Sequence, residues 1–423
     1  LEEAGVNTDD LSHSSEQLAG KIDTLKKKQG EAADKAMTFG DKAGQAFNQV
    51  HEAIVAAGIA VALTEISEYV ASCAHAALDV ESAITGVAKT TDLTDEDLAA
   101  MSDSIKALST EIPATTEEIA AVAEAAGQLG IQKDALLDFT EIMTMLGTAT
   151  NMTADEAATA LARFANITGM ATDNYGRLGS VIVDLGNNFA TTESEIVAMG
   201  TRLASAGKLA GLTEPEIMAL AAAMSSVGIE AEAGGTAMTQ TLNAIEKAVA
   251  KGGAGRAECA RIAGMSSGEF SSAGHNAMSA LTSFIGGLGK LDEQGESTVL
   301  VLEDLGLTGI RQSNMLKALG LAADQMTGAV NTANTAWQQN TALTNEANKR
   351  YATAQSRLTM MQNAYNNLKV AIGDAYTPAL SEAYGVGTKV LTSVTAVIQK
   401  HPALVTAITA FAGVIGAVVA ALA

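Results

Sequence analysis

A chain of 423 residues is long enough to bury more than one core, and with aromatics at only 4% and four prolines it is expected to be all-α. Its formal net charge is −22, and between Val80 and Glu230 there are 7 basic against 22 acidic side chains. That balance repels phosphate backbones and argues against direct nucleic-acid binding, which needs lysine and arginine stripes. Cys73 and Cys259 stand far apart and outside any C-x-x-C spacing, which argues against a disulfide framework or a zinc site and suggests a reducing compartment during synthesis. The chain opens at Leu1 without an initiator methionine or a signal pattern, so the expectation is part of a longer protein.

Residues 1–50 read as an amphipathic helical segment, with Leu11, Leu18, Ile22 and Leu25 on one stripe followed by Lys26, Lys27 and Lys28. The uncharged run 53–64 is too short to span a bilayer and reads as a buried helix. Residues 51–250 form the expected acidic helical core. Here a threonine is followed three positions later by an acid and then by an alanine-rich run, a helix-start signal repeated five times: Thr94 with Asp97, Thr115 with Glu118, Thr153 with Glu156, Thr192 with Glu195, and Thr213 with Glu216. The starts stand 21, 38, 39 and 21 positions apart, which suggests helical hairpins and is too irregular for a solenoid. Gly130, Gly169, Gly207 and Gly228 are the expected stops.

Residues 251–328 are glycine-rich (GGAG, FIGGLG) and read as a connector of shorter helices joined by mobile loops. Residues 329–373 lack glycine and proline until Gly373, which predicts one helix of about 44 residues, roughly 65 Å long. Its later half sets Tyr351, Ala354, Leu358, Met361, Tyr365, Leu368 and Ile372 at steps of three and four. This heptad seam fits either an intramolecular helix pair or bundling with other copies. Residues 374–423 end in Ala403–Ala423, whose 21 residues carry no charge and meet the length needed to cross a bilayer. If they do, Val405, Ile408, Phe411, Val414, Ile415, Val418 and Val419 face lipid; the other reading is a packed core helix.

The chemistry-bearing residues form no recognisable constellation. His13, His51, His75, His275 and His401 are scattered, and His51-Glu52 lacks the second histidine of a zinc-peptidase helix. GGLGK at Gly286–Lys290 has Phe284 where a phosphate loop needs its first glycine, and Leu291 where it needs Ser or Thr. Most acids stand in first helical turns, where capping explains them. No G-x-S-x-G elbow and no cysteine-nucleophile signature occurs, so the expectation is a structural protein without enzyme activity, metal or cofactor.

Several stretches, taken in order, resemble the core region of phage tail tape measure proteins. They are LSHSSEQLAGKIDTLKKKQ, LSTEIPATTEEIAAVAEAAGQLGI, LGTATNMTADEAATALARFANITG, YGRLGSVIVDLGNNFATTESEIVAMGTRLASAG, GLTEPEIMALAAAMSSVGIEAEAGGTAMTQTL and LKVAIGDAYTPAL. The resemblance implies a compact multi-helix scaffold in the lumen of a virion tail, made in the host cytoplasm. It also implies a few copies bundled along the tail axis, with tail-tube subunits, assembly chaperones and tail-tip proteins as partners. The length of the complete protein would set the length of the tail, and apolar segments would help the genome cross the host membrane on ejection. The long repetitive rod of that family is not visible in this sequence. A different class with similar features is a pore-forming helical toxin or secreted effector, which would need a second apolar span and a receptor-binding part.

Overall fold

The computed structural model describes residues 61–272, 277–291 and 293–374, and every α-helical or 3-10 segment is joined by turns, with no strand among the described residues. The segment 1–50, most of the run 53–64, and the stretch Ala403–Ala423 with Val405, Ile408, Phe411, Val414, Ile415, Val418 and Val419 lie outside the described residues. Among the described residues, no helix is long and apolar enough to cross a membrane. The chain divides into a larger unit, Ala83–Asn363, and a smaller one drawn from the residues on either side of it.

The helices in chain order are α1 (Val61–Thr90), α2 (Asp95–Glu111), α3 (Thr116–Gln128), α4 (Lys133–Ala149), α5 (Ala154–Thr168), α6 (Tyr175–Asn188), α7 (Glu193–Leu209), α8 (Glu214–Ser226) and α9 (Ala231–Lys251). They continue with α10 (Gly253–Ile262), α11 (Ser267–Ser272), α12 (Ala277–Leu288), α13 (Thr298–Asp304), α14 (Ile310–Leu321), α15 (Ala323–Gln339) and α16 (Ala342–Tyr351). The last, α17, covers 354–374.

All five threonine–acid signals begin helices. At Thr115, Thr153 and Thr192 the cap is reciprocal: the hydroxyl accepts from the amide three residues on, and that residue's carboxylate accepts from the threonine amide. At Thr94 the hydroxyl accepts from the Asp97 amide at 3.2 Å and donates to its carboxylate at 2.9 Å, while Thr213 directs both its amide and its hydroxyl to Glu216. Each device satisfies donors that a helix start leaves unpaired.

The two 21-residue spacings mark a duplicated corner. Helices α2 and α3 have 17 and 13 residues, as do α7 and α8, and the starts of α2, α3 and α4 recur 98 positions later as those of α7, α8 and α9. The exits match as well. Gly130 and Gly228 adopt φ of 80° and 79°, and the amide after each reaches back five residues, Ile131 to Ala126 O and Ile229 to Met224 O, both at 3.1 Å. The expected stop at Gly207 is a correction. That glycine lies inside α7, where an added Cβ would stand 2.8 Å from Ile217 Cγ1, and the left-handed residue that ends the turn is Gly211, at φ 86°.

Packing in the larger unit centres on α8, which buries Pro215 and every residue from Ile217 to Met224. Helices α6, α7, α14 and α15 surround it. A helix apolar all round must be covered on all sides, and its alanines let neighbours approach closely. Beside it α3, α4 and α5 pack on one another, and Phe139 meets Tyr175 edge to face with centroids 4.7 Å apart. GGLG is a packing device and not a phosphate loop: Gly286 and Gly287 are helical, and a Cβ on Gly287 or Gly289 would collide with the carbonyl of Ile262 or of Gly320.

The single helix expected over 329–373 is not formed. Asn340 takes the left-handed conformation, φ 51°, and ends α15, and a turn at Ala352 and Thr353 ends α16 before α17 begins. Thr353 caps α17 by accepting from the Ser356 amide at 3.2 Å. Neither stop uses glycine or proline, which is why the expectation missed both; asparagine tolerates the left-handed region better than other side chains.

In the smaller unit, α1 and α17 cross at Gly373, where a Cβ would run into the backbone carbonyl of Cys73 and lie 2.7 Å from Ala77 Cβ. Burial pushes the Tyr69 hydroxyl up to about 12, with Cys73 and Tyr365 beside it adding to the shift.

Candidate functional site

A helix can bury a polar residue, with its partners, on one face and leave large apolar ones exposed on another. Helix α17 is of that kind. It buries Asn363, Val370 and Gly373. Asn363 Nδ2 donates to two carbonyls of the α2–α3 corner, Ser109 O and Ala114 O, each at 2.8 Å. The seam residues Leu358, Met361 and Tyr365 stand 42%, 64% and 50% exposed, Leu368 and Ile372 are half-buried, and Lys369 Nζ sits 5.1 Å from the Tyr365 ring centre. Six of the seven seam positions, Ala354 to Ile372, therefore share α17. Tyr351 is apart from them at the end of α16, its hydroxyl enclosed without a hydrogen-bond partner and driven far above its usual range by burial and by the Glu141 carboxylate.

Sequence reasoning did not flag Asn363. An asparagine inside an apolar periodicity is the available signal, since an amide at a buried position must find partners.

A second cluster lies where α15 gives way to α16. From α6, Arg177 donates to Trp337 O at 2.7 Å and Ser180 Oγ donates to Asn340 Oδ1 at 3.2 Å while accepting from the Leu343 amide at 3.4 Å. An open cleft of about 250 Å³ beside it is lined by Asp138, Glu141, Gly176, Ser180 and Asn340 among others. No group of three or more His, Cys, Asp or Glu placed to hold a metal ion occurs among the described residues.

Several of the acids serve caps, among them Glu118, Glu156, Glu195 and Glu216. Backbone amides hold Glu156 and Glu195 below the usual carboxylate range, through Thr153 and Thr192, and the Lys133 ammonium at 2.9 Å does the same for Asp97. Cys73 and Cys259 are free and buried, and burial raises both thiols, Cys259 to about 11. His75 is exposed on α1. The large apolar side chains left exposed along α17 are thus Leu358, Met361 and Tyr365.

Residues 102–305 match the family model described as phage-related minor tail protein. No curated protein and no solved structure matches the chain. The family match supports a phage tail protein, and with it a component of the virion.

Proposed function

We propose, with a phage tail component as the premise, that this chain is the core of a tail tape measure protein, a non-enzymatic scaffold around which tail-tube subunits polymerise. What carries the reading is the solvent-facing stripe Leu358, Met361 and Tyr365 on α17. Apolar positions at steps of three and four on an exposed helix suit the bundling of a few copies along one axis. The acidic larger unit repels DNA passing through the same lumen instead of gripping it. Assembly chaperones hold the apolar stripe before the tube closes round it, and tail-tip proteins anchor one end. The uncharged run Ala403–Ala423 then contacts the host membrane during ejection.

Tail length is the decisive readout. An in-frame addition of about 60 helix-forming residues to the protein in its phage lengthens the tail by about 90 Å, at 1.5 Å per residue. Tails of unchanged length by electron microscopy would leave a minor tail component and remove the measuring role. Genome delivery is tested separately by vesicle flotation and dye release, comparing the full chain with one ending at Pro402. Equal behaviour of the two removes the membrane role.

A further inference from the structure

Buried side chains on α15 and α16 keep one helical phase across the break between them. Met326, Ala329, Ala333 and Ala336 step by 3, 4 and 3, and Leu343 and Ala347 continue the stripe only if Asn340 fills the position between. Two helices joined by a turn have no need to share a phase. Asn340 is also the one residue other than glycine with positive φ among the described residues.

Contacts from α6 supply partners to two backbone groups that an unbroken helix would pair internally at this point. In such a helix Trp337 O would accept from the Thr341 amide, and the Leu343 amide would donate to Gln339 O. Instead Arg177 occupies Trp337 O and Ser180 Oγ receives the Leu343 amide, with Ser180 also holding the Asn340 side chain. Two of the backbone groups freed at the break are therefore satisfied from outside, by side chains some 160 positions away in sequence.

We propose that Ala323–Tyr351 is a two-state element, broken at Asn340 while docked on α6 and a single continuous helix once α6 lets go. Without Arg177 and Ser180, the backbone groups near Asn340 find their partners most directly in each other, and the sequence between Ala329 and Tyr351 contains neither glycine nor proline to oppose this. The continuous form places Asn340 within the apolar stripe, where a polar residue lowers stability and so keeps the two forms close in energy. One sequence then serves a compact and an elongated chain. The inference stands on the junction alone and does not require the tape measure reading.

Spin labels on cysteines replacing the exposed Asn331 and Asn348, in the full chain with Cys73 and Cys259 changed to alanine, report the state of the element. Seventeen residues of unbroken helix separate the two Cα atoms by about 26 Å, and any bend shortens that. With Arg177→Ala, Ser180→Ala and Asn340→Ala together, a population near this longer separation is expected, with helical circular dichroism retained. Asn340→Gly, which favours the left-handed turn, keeps the shorter separation of the parent chain. The proposal is overturned if the triple variant keeps the parent distribution. It is equally overturned if the distribution broadens while helicity falls, because α15 and α16 then need α6 to be helical at all.

Discussion

Replacing Asn363 with alanine removes a side chain that joins α17 to the carbonyls of Ser109 and Ala114. Both bonds are 2.8 Å long, one fully buried and one partly. An unpaired buried carbonyl costs about 1 to 3 kcal/mol, and the partly buried one recovers some of that from water, so the combined loss is about 2 to 4 kcal/mol. That corresponds to roughly 30-fold to several-hundred-fold easier opening of the anchor. Because a chain of this size does not unfold in one step, the measurement is hydrogen exchange, read at the α2–α3 corner and across α17. Asn363→Asp is expected to open more than Asn363→Ala at pH 7, since carboxylate oxygens then face carbonyl oxygens. The gap narrows on acidification as the carboxyl regains a proton to donate. Exchange as slow in Asn363→Ala as in the parent chain would refute the anchoring role.

Gly373→Leu sets a side chain against the Cys73 carbonyl and is expected to destabilise the α1–α17 crossing by about 1 to 3 kcal/mol, seen as a lower urea midpoint for a label on α1. Thr115→Ala and Thr192→Ala remove equivalent caps and should each weaken the helix they begin by about 1 kcal/mol, with faster exchange in its first turn; a silent Thr192→Ala would mean that Asn151 and Thr191 carry that start instead. Glu156 and Glu195 titrate below their ordinary value in the fold, so their contribution is complete above the unfolded value near 4.3 and is lost as pH falls through the lower folded values. First-turn protection in α5 and α7, corrected for intrinsic exchange, is therefore expected to hold from pH 7 to 5 and to drop below about 4; protection that rises on acidification would show that relief of the −22 charge outweighs the caps. Leu358→Lys with Met361→Lys should abolish concentration-dependent association in sedimentation without changing the circular dichroism, and association that persists would move the bundling surface elsewhere.

The sequence by itself determined the class, five of the helix starts and several stops, because these rest on contacts within a few residues. A threonine and an acid three positions apart form their cap wherever the helix is placed, and Gly130, Gly169 and Gly228 adopt the left-handed conformation for local reasons. The apolar periodicity of α17 was legible too, though not which face it would turn to solvent. What only the tertiary structure decided was where intrinsically helical sequence stops and where a glycine is a spacer. Gly207 sits mid-helix because Ile217 of the next helix needs the room. The run from Ala329 to Ile372 breaks at Asn340 because Arg177 and Ser180 supply hydrogen bonds that no local pattern announces. At Asn340 the helix interior is lost where distant groups satisfy its backbone, and those partners become known once the chain has folded back on itself.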